Sequence, residues 1–128
     1  MPNSKIIRHP NLSDGHAAEA AAADWLQRRG LSLLEKNYRC KGGEIDLIMR
    51  DKGDLVFVEV RLRNRDDYGS AAESVTAAKQ RRVVHAARHF LAAHTRWQNS
   101  ACRFDVVAAS GPSGEIEWQW LRHAFLAE

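Results

Sequence analysis

Three carboxylates fall within runs that otherwise belong in a buried sheet: Glu44 and Asp46 in GGEIDLIMR, and Glu59 in LVFVEVRLR. Asp and Glu are depleted in strands and costly to bury without partners, so each calls for a compensating interaction. Side chains alternate across a strand. Glu44 and Asp46 should therefore share one face, with Ile45 and Leu47 on the other. By the same parity, Glu59, Arg61 and Arg63 should share a face with Phe57, opposite Val56, Val58 and Val60. Asp51-Lys52-Gly53-Asp54 has turn composition, and folding the two runs into an antiparallel hairpin makes Asp46 and Glu59 neighbours.

Adjacent carboxylates repel, and they are tolerated best around a divalent cation. Magnesium, or manganese in its place, suits a pair of carboxylates on rigid strands, because it completes its shell with waters and substrate phosphate oxygens. Arg61 lies two residues beyond Glu59 on the same face and is placed to meet such a phosphate. A plainer reading is a buried ion pair of Glu59 with Arg61 or Arg63 that serves packing alone.

The elements that must position these groups follow from the pattern on either side. Residues 1–12 carry two of the three prolines and read as a flexible lead-in, leaving 13–128 as one domain. Ser13 or Asp14 can cap an alanine-rich helix that stops at Gly30, with Ala18, Ala21, Ala22 and Trp25 as its apolar stripe. Glu19 sits at the edge of that stripe. A lone helical carboxylate ordinarily faces solvent, and the alternative is that Glu19 looks over the sheet toward the cation.

Leu31 to Cys40 reads as a strand, followed by Gly42-Gly43 as a flexible break. After the hairpin, residues 64–70 form a polar loop, into which Arg61, Arg63 and Arg65 lead as a basic strip. A second helix is expected from a Thr76 cap to about His94, with Val75, Ala78, Val83, Ala86, Ala87, Phe90 and Leu91 as its apolar stripe. Its polar side holds Lys79, Arg81, Arg82, His85, Arg88 and His89 with no acid between them, so it could lie along a phosphate backbone, or be a solvated face. Arg103 to Ala108 is a further strand, in which Asp105 reads as a structural partner for an arginine, with a further site carboxylate as the alternative. Residues 111–114 form a turn. Ile116, Trp118 and Trp120 then alternate with Glu117 and Gln119 as a last strand, with the tail from Leu121 folding back.

Composition narrows the class. A net charge of +3 over 128 residues is compatible with an anionic partner but too small to argue for one alone. The two cysteines, Cys40 and Cys102, form no CxxC pair and no zinc-spaced cluster, and no apolar run reaches a membrane span, so a cytoplasmic protein without membrane contact is expected.

The order helix, strand, acidic hairpin, helix, strand, with Asp46 followed by Glu59-Val60-Arg61, resembles the PD-(D/E)XK nuclease superfamily and, within it, the archaeal Holliday junction resolvases. The resemblance is closer still to the YraN-like family of uncharacterised bacterial proteins. It is carried by Gly15 with Glu19, Asn37-Tyr38-Arg39, Gly43 through Ile48, Phe57 through Arg61, and Arg103 through Val107. The resemblance implies a restriction endonuclease-like α/β core, a mixed sheet of about five strands flanked by helices. It further implies that Asp46 and Glu59 hold a metal, that Glu19 supplies a further contact to it, and that Arg61 stands at the position of a lysine; Glu44, on the same face as Asp46, is expected to complete the shell. Arginine stays protonated, so it binds and neutralises anions but cannot take a proton from water.

The expected function is a magnesium-dependent endonuclease-like activity on DNA, branched DNA included, with RNA as the alternative partner. Asp46, Glu59 and Arg61 are its catalytic set. Arg61, Arg63, Lys79 and Arg82 are its nucleic-acid contacts, and a homodimer would supply paired cuts. The competing readings are a non-catalytic nucleic-acid-binding module and an interaction protein with a structural ion-pair network.

Overall fold

The computed structural model describes residues 15–63, 71–110 and 116–127. The expected lead-in at 1–12, the Ser13 or Asp14 cap, the loop at 64–70 with Arg65, and the turn at 111–114 lie outside the described residues.

Alanine is the best helix former, and its small side chain lets a helix lie close on a sheet. Helix α1 spans Gly15–Arg28 and buries Ala18, Ala22, Ala23 and Leu26. The stripe is thus rotated from the expected one toward Leu26. The bulk of Trp25 explains the difference: it sits half-buried at the rim, where it stacks on Trp118 (centroids 5.3 Å apart) and meets Trp120 edge-on. Gly30, with φ of 102°, ends the turn after the helix, and Leu31 N–H donates to the Leu26 carbonyl at 3.2 Å.

The strands are β1 Ser32–Cys40, β2 Gly43–Asp51, β3 Asp54–Arg63, β4 Cys102–Ser110 and β5 Glu117–Phe125, and they lie in the sheet in chain order. β1, β2 and β3 form an antiparallel meander; β3 and β4 are parallel; β4 and β5 are antiparallel. A parallel pair needs a crossover. Helix α2, Ala77–Ala93, provides it, capped by the Thr76 hydroxyl, which accepts from the Lys79 N–H. Single 3₁₀ turns at Ala72–Ser74 and Thr95–Trp97 flank it. The fold is therefore α/β, a five-stranded mixed sheet between two helices, consistent with a resolvase-like core. Among the described residues no helix is long and apolar enough to cross a membrane.

Each sheet face packs against one helix. On the α2 side, Ile45, Ile48, Leu55, Phe57, Phe104 and Val106 meet Val83, Ala86, Ala87 and Phe90. On the α1 side, Leu47, Met49, Val56, Val58 and Val107 meet Ala22, Ala23 and Leu26. β3 keeps the expected parity, but β2 does not. Ile45 and Leu47 belong to opposite faces, so alternation breaks at Asp46. In α2, Val84 is buried whereas Ala78, in the first turn, is exposed. Gly43 is more than a flexible link: a Cβ there would lie 2.4 Å from the Arg82 carbonyl oxygen and 3.0 Å from the Ala86 nitrogen.

The tail does not fold back at Leu121. β5 continues through Phe125, because the buried Asp105 carboxylate accepts from the His123 N–H at 3.1 Å and from the Trp120 indole N–H at 2.9 Å. Arg103 Nε donates to the same carboxylate at 3.1 Å, and its Nη2 donates to Asp51 at 2.9 Å. Asp105 thus holds β5 in place and leaves the acidic hairpin to other residues.

Candidate functional site

The break in alternation at Asp46 creates the site. The β2–β3 ladder runs from Asp51 opposite Asp54 as far as Leu47 opposite Val58. Beyond it, side chains take over from backbone: the Asp46 N–H donates to Glu59 Oε2 at 3.2 Å, and the Val60 N–H donates to Asp46 Oδ2 at 2.9 Å. The two strands part here, and each carboxylate caps a backbone donor that the ladder would otherwise have used. On the neighbouring strand, Asn37 adopts a left-handed backbone with φ of 53°, between the pairs Tyr38 with Ile45 and Lys36 with Leu47. The irregularity therefore crosses both strands.

Glu59 is 1 % exposed. Burial first, and the neighbouring Asp46 carboxylate second, push its pKa up to about 8, against the opposing pull of Lys79. Its Oε1 makes no hydrogen bond, although Lys79 Nζ stands 3.5 Å away. Glu19 reaches the same place from the first turns of α1. It is half-buried, its Oε1 also lacks a hydrogen bond, and burial followed by Asp46 raises its pKa. Arg61 lies in the same cleft with its Nε buried and unbonded. The cleft, about 320 Å³, is lined by Gly15, Ala18, Glu19, Asp46, Val60, Arg61, Leu62 and Lys79.

Sequence reasoning named Glu19, Asp46, Glu59 and Arg61; the structure brings Glu19, Asp46 and Arg61 to the lining of this cleft and buries Glu59 beside Asp46. Glu44 is placed differently. Its carboxylate accepts from Lys79 Nζ at 3.1 Å and has Arg39 and Arg82 each at 3.8 Å, and the Lys79 hydrogen bond and charge hold its pKa below the usual range. Lys79 and Arg82 are therefore opposed in space by an acid that sequence did not place beside them. Arg82 is half-exposed, and Arg63 ends β3 at the margin of the described chain.

Lys79 is the residue whose position sequence reasoning missed. Burial disfavours its charge, but Glu59, Glu44 and Asp46 outweigh that and raise its pKa. The signal was available: Lys79, Val83, Ala86 and Phe90 fall at helical spacing, so Lys79 belongs to the stripe that faces the sheet.

Among the described residues, no group of three or more His, Cys, Asp or Glu side chains meets the geometry of a metal centre. The donors still suit magnesium, which needs only one or two protein carboxylates. Asp46 and Glu59 supply those. The unbonded Oε1 atoms of Glu59 and Glu19 are buried acceptors of the kind a cation would satisfy.

Residues 18–109 match the Uncharacterised protein family UPF0102. A UPF0102 protein of Nitrosomonas europaea is 55 % identical over 111 residues, covering 87 % of this chain and 92 % of its own. One from Alkalilimnicola ehrlichii is 51 % identical over 92 % of this chain and 90 % of its own, and one from Pseudomonas putida is 51 % identical over 88 % and 93 %. The family match takes in most of α1, the whole acidic hairpin, α2 and nearly all of β4. The chain belongs to the uncharacterised protein family UPF0102, the YraN-like group of the restriction-endonuclease-like superfamily.

Proposed function

We propose that this protein is a divalent-metal-dependent phosphodiesterase acting endonucleolytically on DNA, branched DNA included. The observation that carries the reading is the carboxylate pair at the β2–β3 fork: Asp46 and Glu59 together, Glu59 fully buried with an oxygen lacking a hydrogen bond, beside two cationic side chains in an open cleft. Burying a carboxylate with an unmet acceptor is costly, and a packing role alone gives no return for that cost.

Asp46 and Glu59 would hold magnesium or manganese, with Glu19 alongside. When bound, such an ion supplies Lewis acidity at the phosphate and a lowered pKa for the attacking water. Arg61, permanently charged, holds a phosphate oxygen and neutralises charge that grows as the P–O bond breaks. Glu44 stays with its cations. The exposed Arg81 and Arg82 along α2 supply a basic approach for the rest of the backbone.

Calorimetry with manganese tests the site, and cleavage of duplex, branched and single-stranded DNA tests the activity. Asp46→Asn should lower manganese affinity at least tenfold, and Glu59→Gln should abolish cleavage. Arg61→Lys should keep metal binding and raise the cleavage rate. Metal binding unchanged in Asp46→Asn would exclude this site, whereas metal and DNA binding with no cleavage by concentrated wild type or Arg61→Lys would leave a non-catalytic binding module.

A further inference from the structure

Lys79 has a geometry that a surface phosphate contact would not need. Its side chain is 24 % exposed and reaches back from the first turn of α2. There the ammonium lies 3.1 Å from Glu44 Oε2 and 3.5 Å from Glu59 Oε1. It also lines the cleft that holds Asp46, Glu19 and Arg61. An ammonium is a compact point charge on a flexible stem, able to sit between carboxylates where a planar guanidinium would need room for its fork.

We propose that Lys79 is the working cation of this site: it stands over Glu59 Oε1 in the free protein and, tethered by Glu44, passes to the substrate phosphate when a divalent ion takes Glu59 and Asp46. This rests on the metal-dependent reading above and assigns to Glu44 and Lys79 roles that the reading lacked. Three features support it. Glu59 Oε2 already accepts from the Asp46 N–H, so a divalent ion held by Glu59 would contend with the ammonium beside Oε1. Glu44 is more exposed than Glu59 and already surrounded by cations, so its hydrogen bond to Lys79 survives the exchange. The freed ammonium then points into a cleft that an incoming phosphate must share with Arg61, and rotation of its own stem suffices to reach it. Glu44 is a positioning residue in this scheme, acting through Lys79.

Competition gives the test its sign. Lys79→Met keeps the apolar stem and removes the charge, Lys79→Arg keeps the charge, and Arg88→Met removes a charge from the same helix outside the cleft. Manganese is titrated calorimetrically into each folded variant, and binding of a short duplex is measured with calcium present to hold the phosphate without turnover. Lys79→Met should bind manganese about tenfold more tightly than wild type and the calcium-loaded duplex about tenfold more weakly. Lys79→Arg should recover much of both, and Arg88→Met should leave manganese affinity unchanged. If Lys79→Met fails to fold, Lys79→Gln gives the same readout. Wild type that binds manganese, with Lys79→Met no tighter, overturns the exchange and leaves the metal site standing. Tighter metal binding with unchanged duplex affinity overturns the phosphate role. No manganese binding by wild type overturns the metal site, and the exchange with it.

Discussion

Glu59 concentrates the cost of this site in one side chain. Its pKa is about 8 in the folded protein against the ordinary 4.5, because burial and Asp46 both disfavour its charge. The folded state therefore holds this proton more tightly than the unfolded chain. The resulting stabilisation is complete below about pH 4.5 and is lost as pH rises through 8. In metal-free protein, thermal unfolding should show that decline, and Glu59→Gln should flatten it, leaving the variant about 1–3 kcal/mol more stable than wild type at pH 8.5. Manganese should restore wild type at that pH and leave Glu59→Gln unmoved. A wild-type profile flat between pH 5 and 8.5 would mean that Lys79 compensates the charge fully. The anomaly was legible in sequence, because a charged residue between Val58 and Val60 conflicts with everything around it. Its consequence for the ladder was not. Strict alternation puts Ile45 and Leu47 on one face, and only the competition of two carboxylates for the Asp46 and Val60 amides shows why the pattern slips there.

Elements were read more accurately than the contacts between them. The Thr76 cap, the span of α2 and the five strands all follow from local signals, namely a hydroxyl before a periodic run and valine-rich runs between turn residues. Which face a residue occupies depended on size and partners that sequence does not display. Trp25 has the right spacing for the buried stripe of α1 yet stacks at the rim on β5, and Lys79 has the wrong chemistry for the buried stripe of α2 yet lies on it. Gly43 shows the same limit. It reads as a break between strands, but its missing side chain is what lets α2 lie against the start of β2, beside Glu44 and within a helical turn of Lys79. A methyl group there meets backbone atoms, which cannot rotate away. Gly43→Ala should cost about 1–3 kcal/mol in chemical denaturation, and by pushing back α2 it should weaken manganese and DNA binding together. A loss below about 0.5 kcal/mol would show that the helix shifts freely.

Across the whole molecule, the cleft is built from segments that meet at different distances along the chain. Asp46 and Glu59 sit on adjacent strands of the β1–β2–β3 meander, joined by a tight turn, and α1 with Glu19 precedes it. Lys79 arrives on the crossover, and that crossover is fixed only when β4 pairs with β3, Leu55 beside Cys102 and Arg63 beside Ser110. Local pairings close cheaply, whereas distant parallel ones must meet a larger loop-entropy cost before any contact repays it. Pulse-labelled hydrogen exchange during refolding should protect amides of β2 and β3 before those of β4, and simultaneous protection would mean that the sheet condenses as one unit. The parallel pairing thus sets an order in time as well as a shape. During refolding the two acids come together first, and their counter-charge reaches them last.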